Sequence, residues 1–127
     1  MIKQLSDVAE FHKKFNIVDG TTPQLLNPEE SSLRYALMKE ENDEYLEACE
    51  KGDLVEVADA LGDQLYILCG TILKHGLQHK IEEVFSEIQR SNMSKLGEDG
   101  NPIFREDGKI LKGPNYSKPN IHPIIQS

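Results

Sequence analysis

Tryptophan is absent from this chain, and its aromatic side chains amount to 4 tyrosines and 4 phenylalanines in 127 residues, so a ligand site built from several stacked rings has little to draw on. Cysteine is nearly as scarce. Cys49 and Cys69 show no C-x-x-C spacing, which excludes a disulfide framework and a thiolate zinc site. Both fall within expected helices and read as buried thiols of a reducing compartment. No apolar run approaches the roughly 20 residues that a membrane-spanning helix requires, and the opening MIKQLSDVAEFHKKF lacks the apolar stretch of a signal peptide. The expected location is therefore cytoplasmic. Basic residues are the minority, with 14 Lys and Arg against 22 Asp and Glu and a net charge of −8. That field repels nucleic-acid backbones and anionic membranes, so neither is expected as a main partner. An acidic protein that handles phosphates needs metal cations.

What is present is helical. The length fits one domain over 1–127, with a helical core at about 6–96 and a loop-rich tail at about 97–127. Ser6 is the expected N-cap of a first helix reaching Asn16, with Val8, Phe11 and Phe15 on one side. A loop with Gly20 and Pro23 leads to Asn27, the N-cap of a second helix that opens on Pro28, Glu29 and Glu30 and runs to about Lys51 before Gly52. Asp53 caps a third helix from Leu54 to about His75, which Gly76 ends. A fourth runs from about Leu77 or Gln78 to Ser91. Short connections of this kind predict an all-α, four-helix antiparallel bundle. In the tail, Asp107-Gly108 between Ile103-Phe104 and Ile110-Leu111 predicts a small hairpin.

The chemistry lies in two carboxylate pairs, Glu41-x-x-Glu44 on the second helix and Glu56-x-x-Asp59 on the third. Residues three apart on a helix are surface neighbours, so each pair aims two oxygens at one point, and two adjacent helices converge four. Hard divalent cations take such ligands. A solvated face is the ordinary fate of helical acids, but the positions here argue otherwise. A 100° step per residue puts Glu40, Glu41, Glu44 and Glu47 on the side of Leu33, Leu37 and Ala48, so the acids interrupt the core stripe. On the third helix, Leu54, Ala58, Leu61, Leu65, Leu68, Cys69 and Ile72 form a wide apolar stripe, with Glu56, Asp59 and Asp63 opposite. No Lys or Arg occurs between Leu54 and Leu73, so these acids have no basic partner in their own helix. Glu56 has a structural alternative, a capping box with Asp53.

These residues resemble the all-α nucleoside triphosphate pyrophosphohydrolases, the MazG-like group that includes dimeric dUTPases and phosphoribosyl-ATP pyrophosphohydrolase. The family pattern, E-E-x-x-E followed by E-x-x-D, is matched by Glu40-Glu41-Asn42-Asp43-Glu44 and by Glu56-Val57-Ala58-Asp59 within EVADALGDQLYILCGT. The spacer, residues 45–55, is at the short end for the group, and Gly52 with Asp53 gives that short turn a physical basis. The resemblance implies hydrolysis between the α and β phosphates of a nucleotide with Mg²⁺ or Mn²⁺. It makes Glu41, Glu44, Glu56 and Asp59 the expected metal ligands, Glu40 the group that orients or deprotonates water alongside Glu41, and Asp63 a support for the ligands from one turn on. Asn92 and Lys95 are the expected phosphate contacts, with Lys112 from the tail, and His12 is expected at a base pocket by analogy with relatives that line it from the first helix. A homodimer or homotetramer is expected. The open alternatives within the group are phosphoribosyl-ATP or dUTP and dUDP as substrate.

Two other classes compete. A di-iron carboxylate bundle uses Glu-x-x-His pairs, of which this chain has none. A non-enzymatic helical interaction module would use the apolar third helix and need neither metal nor acids.

Overall fold

A computed structural model describes residues 2–127. The chain divides into two compact units, the first ending at His79 and the second spanning Lys80–Ser127. The first holds three helices, α1 (Ile2–Lys14), α2 (Pro28–Lys51) and α3 (Leu54–Lys74). The second holds α4 (Ile81–Met93), strands β1 (Ile103–Phe104) and β2 (Ile110–Leu111), and the short α5 (His122–Gln126). The all-α class holds.

The connection of α2 to α3 is built by local chemistry. Asn27 accepts a hydrogen bond from the Glu30 N–H at 2.8 Å and Pro28 opens α2. At the far end Gly52 takes φ 67°, its N–H donates to the Cys49 carbonyl, and the Asp53 N–H donates to that of Ala48. This is a Schellman turn, which requires the positive φ that glycine adopts freely. Asp53 then caps α3, accepting from the N–H groups of Val55 and Glu56. Because the Asp53 N–H is committed to Ala48, the capping box with Glu56 does not form; the Glu56 carboxylate lies 3.6 Å from Lys51 Nζ instead.

The same device explains one shifted boundary. At the end of α3, Gly76 (φ 68°) donates to the Leu73 carbonyl and Leu77 to that of Ile72, so Leu77 belongs to the α3 cap and α4 begins only at Ile81. A Cβ on Gly76 would also stand 2.1 Å from the Thr22 carbonyl oxygen. At the other end, α1 starts at Ile2 rather than at Ser6, because Leu5 continues the buried stripe begun by Val8.

The core of the first unit is narrow. Leu5 and Val8 of α1, Ala48 of α2, and Ala60, Cys69, Ile72 and Leu73 of α3 are buried; each larger aliphatic among them contributes about 1.5–3 kcal/mol. Helix α2 runs antiparallel to α3 and packs against its acid-bearing face. Arg34 reaches Thr71 and Ile67, and Asn42 reaches Gln64. The leucine stripe of α3 is largely uncovered in the chain, with Leu54 79 % and Leu68 46 % exposed. Phe15, grouped with Val8 on the first helix, is 62 % exposed and stacks on Phe11 at 4.3 Å. Cys69 is buried as expected, whereas Cys49 is exposed.

In the second unit the tail is clasped to α4. Arg90 binds Glu87 with two nitrogens, and its NH2 donates to the Lys118 carbonyl at 3.2 Å. Glu87 also accepts from the Asn120 N–H, and Arg90 with this N–H holds its carboxyl down to about 2. The hairpin forms where Asp107-Gly108 predicts it, antiparallel with Phe104 opposite Ile110. The tail is thus not all loop: His122 opens α5.

Candidate active site

Midway along the α2–α3 contact the core stripe turns acidic. Glu41 of α2 faces α3 in the register that continues Arg34, Leu37 and Met38, and Asp63 answers it from α3. Glu41, Glu44 and Asp63 each place a carboxylate oxygen within 4.8 Å of the others. Among the described residues, Oε2 of Glu41 is buried without a hydrogen-bond partner. Burial pushes the Glu41 carboxyl up to about 7, aided by the hydrogen bond that protonated Glu41 donates to Glu44 and by the charges of Glu44, Asp63 and Glu40. Asp63 is also raised, first by burial and then by Asp59 and Glu44. An orphaned carboxylate oxygen among like charges is the arrangement a cation resolves, and an all-oxygen donor set suits Mg²⁺ or Mn²⁺.

The two E-x-x-[ED] pairs therefore do not form a single four-carboxylate group. Glu56 and Asp59 line an adjoining hollow of about 250 Å³ with Glu44, Glu47, Lys51 and Ala60. Glu44 is common to both places. Asp63, expected to support the ligands from behind, stands level with Glu41 and Glu44, while Glu40 is exposed beside Glu41. The position of Asp63 could be suspected from its place one turn after Asp59. That it meets Glu41 depends on how the helices align, which the sequence does not state.

His12 departs furthest from expectation. It is 3 % exposed, its Nδ1 lies 2.6 Å from Asp19, and its Nε2 lies 3.1 Å from where a Cβ on Gly70 would stand. It is enclosed between α1 and α3 and is not presented to a base. Arg34, 8 % exposed, shares that interior, donating from Nε to Thr71 Oγ1 at 3.1 Å and from NH2 to the Ile67 carbonyl at 3.1 Å. Burial lowers its pKa, with Asp19 opposing. It is therefore no counter-ion for the acids. The expected phosphate contacts fall in the second unit: Asn92 is exposed on α4, Lys95 is half-buried with its carbonyl accepting from the Gly113 N–H, and Lys112 Nζ sits 4.6 Å over the Tyr116 ring.

The family model described as phosphoribosyl-ATP pyrophosphohydrolase matches residues 8–92, the span that contains every one of these acids. The chain belongs to the phosphoribosyl-ATP pyrophosphohydrolase family. It is also similar to a solved structure, a candidate NTP pyrophosphohydrolase from Exiguobacterium sp. 255-15, at 26 % identity and a TM-score of 0.51, covering 97 % of this chain and 91 % of that one. Among curated proteins, none matches. Family and neighbour agree on pyrophosphohydrolase activity in general. Among the described residues, no helix is long and apolar enough to cross a membrane.

Proposed function

We propose that this pyrophosphohydrolase cleaves the α–β phosphoanhydride of an NTP or dNTP to a monophosphate and pyrophosphate, with Mg²⁺ as cofactor and Mn²⁺ as a substitute. The observation that carries this reading is the meeting of Glu41, Glu44 and Asp63 around an unpartnered Glu41 oxygen. Those three would hold the ion, and Glu56 and Asp59, in the hollow that shares Glu44, would hold a further one. Bound there, a divalent cation neutralises polyphosphate charge and acidifies water. Glu40, exposed next to Glu41, takes the proton of the attacking water as its oxygen bonds to phosphorus and the anhydride P–O bond breaks. The family description supports a second reading, in which the nucleotide is phosphoribosyl-ATP.

The exposed leucines of α3 support a homodimer or homotetramer, since an apolar face of this kind is ordinarily covered. Light scattering that gave a monomer at micromolar concentration would remove that part. The reaction is tested by pyrophosphate release from a panel of NTPs, dNTPs and phosphoribosyl-ATP, with Mg²⁺ and with EDTA. Release that needs metal and is lost in Glu41→Ala is expected; no release from any nucleotide would overturn the reading.

A further inference from the structure

Glu41, Glu44 and Asp63 carry like charges within 4.8 Å of one another, so across the α2–α3 contact they push the two helices apart. Something else must hold the helices together at that level. The other polar links between them lie at the two ends of the contact, Glu30 with Lys74 and Arg34 with Thr71 near the start of α2, and Lys51 with Glu56 at the turn. Arg34 stands seven residues before Glu41 and Lys51 seven after Glu44, roughly 10 Å along the helix in each direction. Between these ends, among the described residues, one side-chain hydrogen bond crosses the contact: Gln64 Nε2 donates to Asn42 Oδ1 at 2.9 Å.

This bond sits level with the acids. Asn42 follows Glu41 and Gln64 follows Asp63, so it joins the immediate neighbours of one acid from each helix. A 100° step per residue turns both amides onto the opposite flank, where they lie beside Tyr35, Met38 and Leu68. Repulsion on one flank is thereby opposed by a bond on the other. Amides on a helix surface are ordinarily solvated and hold nothing, but this pair spans 22 positions of chain and meets across two helices. Asn is also among the weaker helix formers, so its place in the interior of a 24-residue helix is explained by what its side chain reaches. A hydrogen bond of this kind shifts an equilibrium by about threefold to tenfold. A cation that needs oxygens from both helices binds more weakly in proportion to the time those oxygens spend apart.

We propose that Asn42 and Gln64 are positioning residues, whose bond holds Glu41 and Asp63 at ligand spacing before a cation arrives. The proposal rests on the reading of the acids under Proposed function. The test is Mn²⁺ binding to the full chain without nucleotide, read from the electron paramagnetic resonance signal of the free ion. It is made for the parent, for Gln64→Met and Asn42→Leu, which keep the side-chain volume and remove the bond, for the two together, and for the exchanged pair Asn42→Gln with Gln64→Asn. Far-UV circular dichroism in EDTA checks that each is folded, and the two single variants serve independently should one fail. Each single variant should weaken Mn²⁺ binding about fivefold, and the double no more than either single, because one bond is lost only once. The exchanged pair keeps the combined reach across the contact and should restore affinity, which a loss of general packing would not predict. Parent-like affinity in both single variants, losses that add in the double, or an exchanged pair as weak as the singles would overturn the proposal while leaving the metal reading in place. A parent that binds no Mn²⁺ would overturn the metal reading and this inference with it.

Discussion

The two ends of the α2–α3 contact bury polar groups in opposite ways. Near the start of α2, Arg34 is enclosed but answered by Thr71 and the Ile67 carbonyl, and the neighbouring His12 is answered by Asp19. Further along, Glu41 is turned into the same contact and answered only by other acids, with one oxygen orphaned. A buried polar group with partners holds helices in register; one left among like charges costs stability and persists where a ligand completes it. The contrast separates an arginine that aligns α2 with α3 from carboxylates that, on the proposed function, a cation would complete.

Substitution should pull the two ends apart. The largest effect is expected at the acidic end, where Glu41→Ala should lower metal-dependent pyrophosphate release by about 10²-fold or more while leaving stability in EDTA unchanged or higher. At the other end, Arg34→Met should cost about 2–4 kcal/mol in urea unfolding, because Thr71 Oγ1 and the Ile67 carbonyl each lose a charged donor in a part-buried place. An Arg34→Met protein as stable as the parent would break the comparison. Gly70→Ala should cost about 1–3 kcal/mol, since its Cβ would stand 2.6 Å from Arg34 NH2 and 3.1 Å from His12 Nε2.

A further expected effect is one of pH. The Glu41 carboxyl is held at about 7, above its ordinary 4.5. A carboxyl raised in the folded state favours the fold while protonated, fully so below its ordinary pKa, and that contribution fades as pH rises through the folded value. In EDTA the parent should therefore lose stability relative to Glu41→Gln as pH rises from about 4.5 past about 7. Saturating Mg²⁺ should remove the loss. Thermal melts across that window check both statements.

The sequence announces whatever depends on near neighbours. Asn27, Pro28, Gly52 and Asp53 mark the ends of α2 and the start of α3 because capping is settled within a few residues. The hairpin at Asp107-Gly108 is legible for the same reason. The acids at 41, 44, 56, 59 and 63 are legible as a set, since helical periodicity places them on facing sides. Their partition is not: whether Asp63 or Asp59 meets Glu41 turns on the alignment of two helices, which Arg34 fixes through contacts more than thirty residues away. The burial of His12 likewise depends on the space left by Gly70, a tertiary fact with no local signature. The stripe of leucines on α3 is legible as an apolar face, but periodicity does not show what covers it.

The central claim is that Glu41, Glu44 and Asp63 form a cation site, and the most direct test is the thermal stability of the chain with and without millimolar Mg²⁺. It should be measured for the parent, for Asp63→Asn and for Glu29→Gln, which removes one exposed charge away from the site. The account predicts that Mg²⁺ raises the Tm of the parent and of Glu29→Gln but not that of Asp63→Asn. An equal rise in all three, or none in the parent, would contradict it.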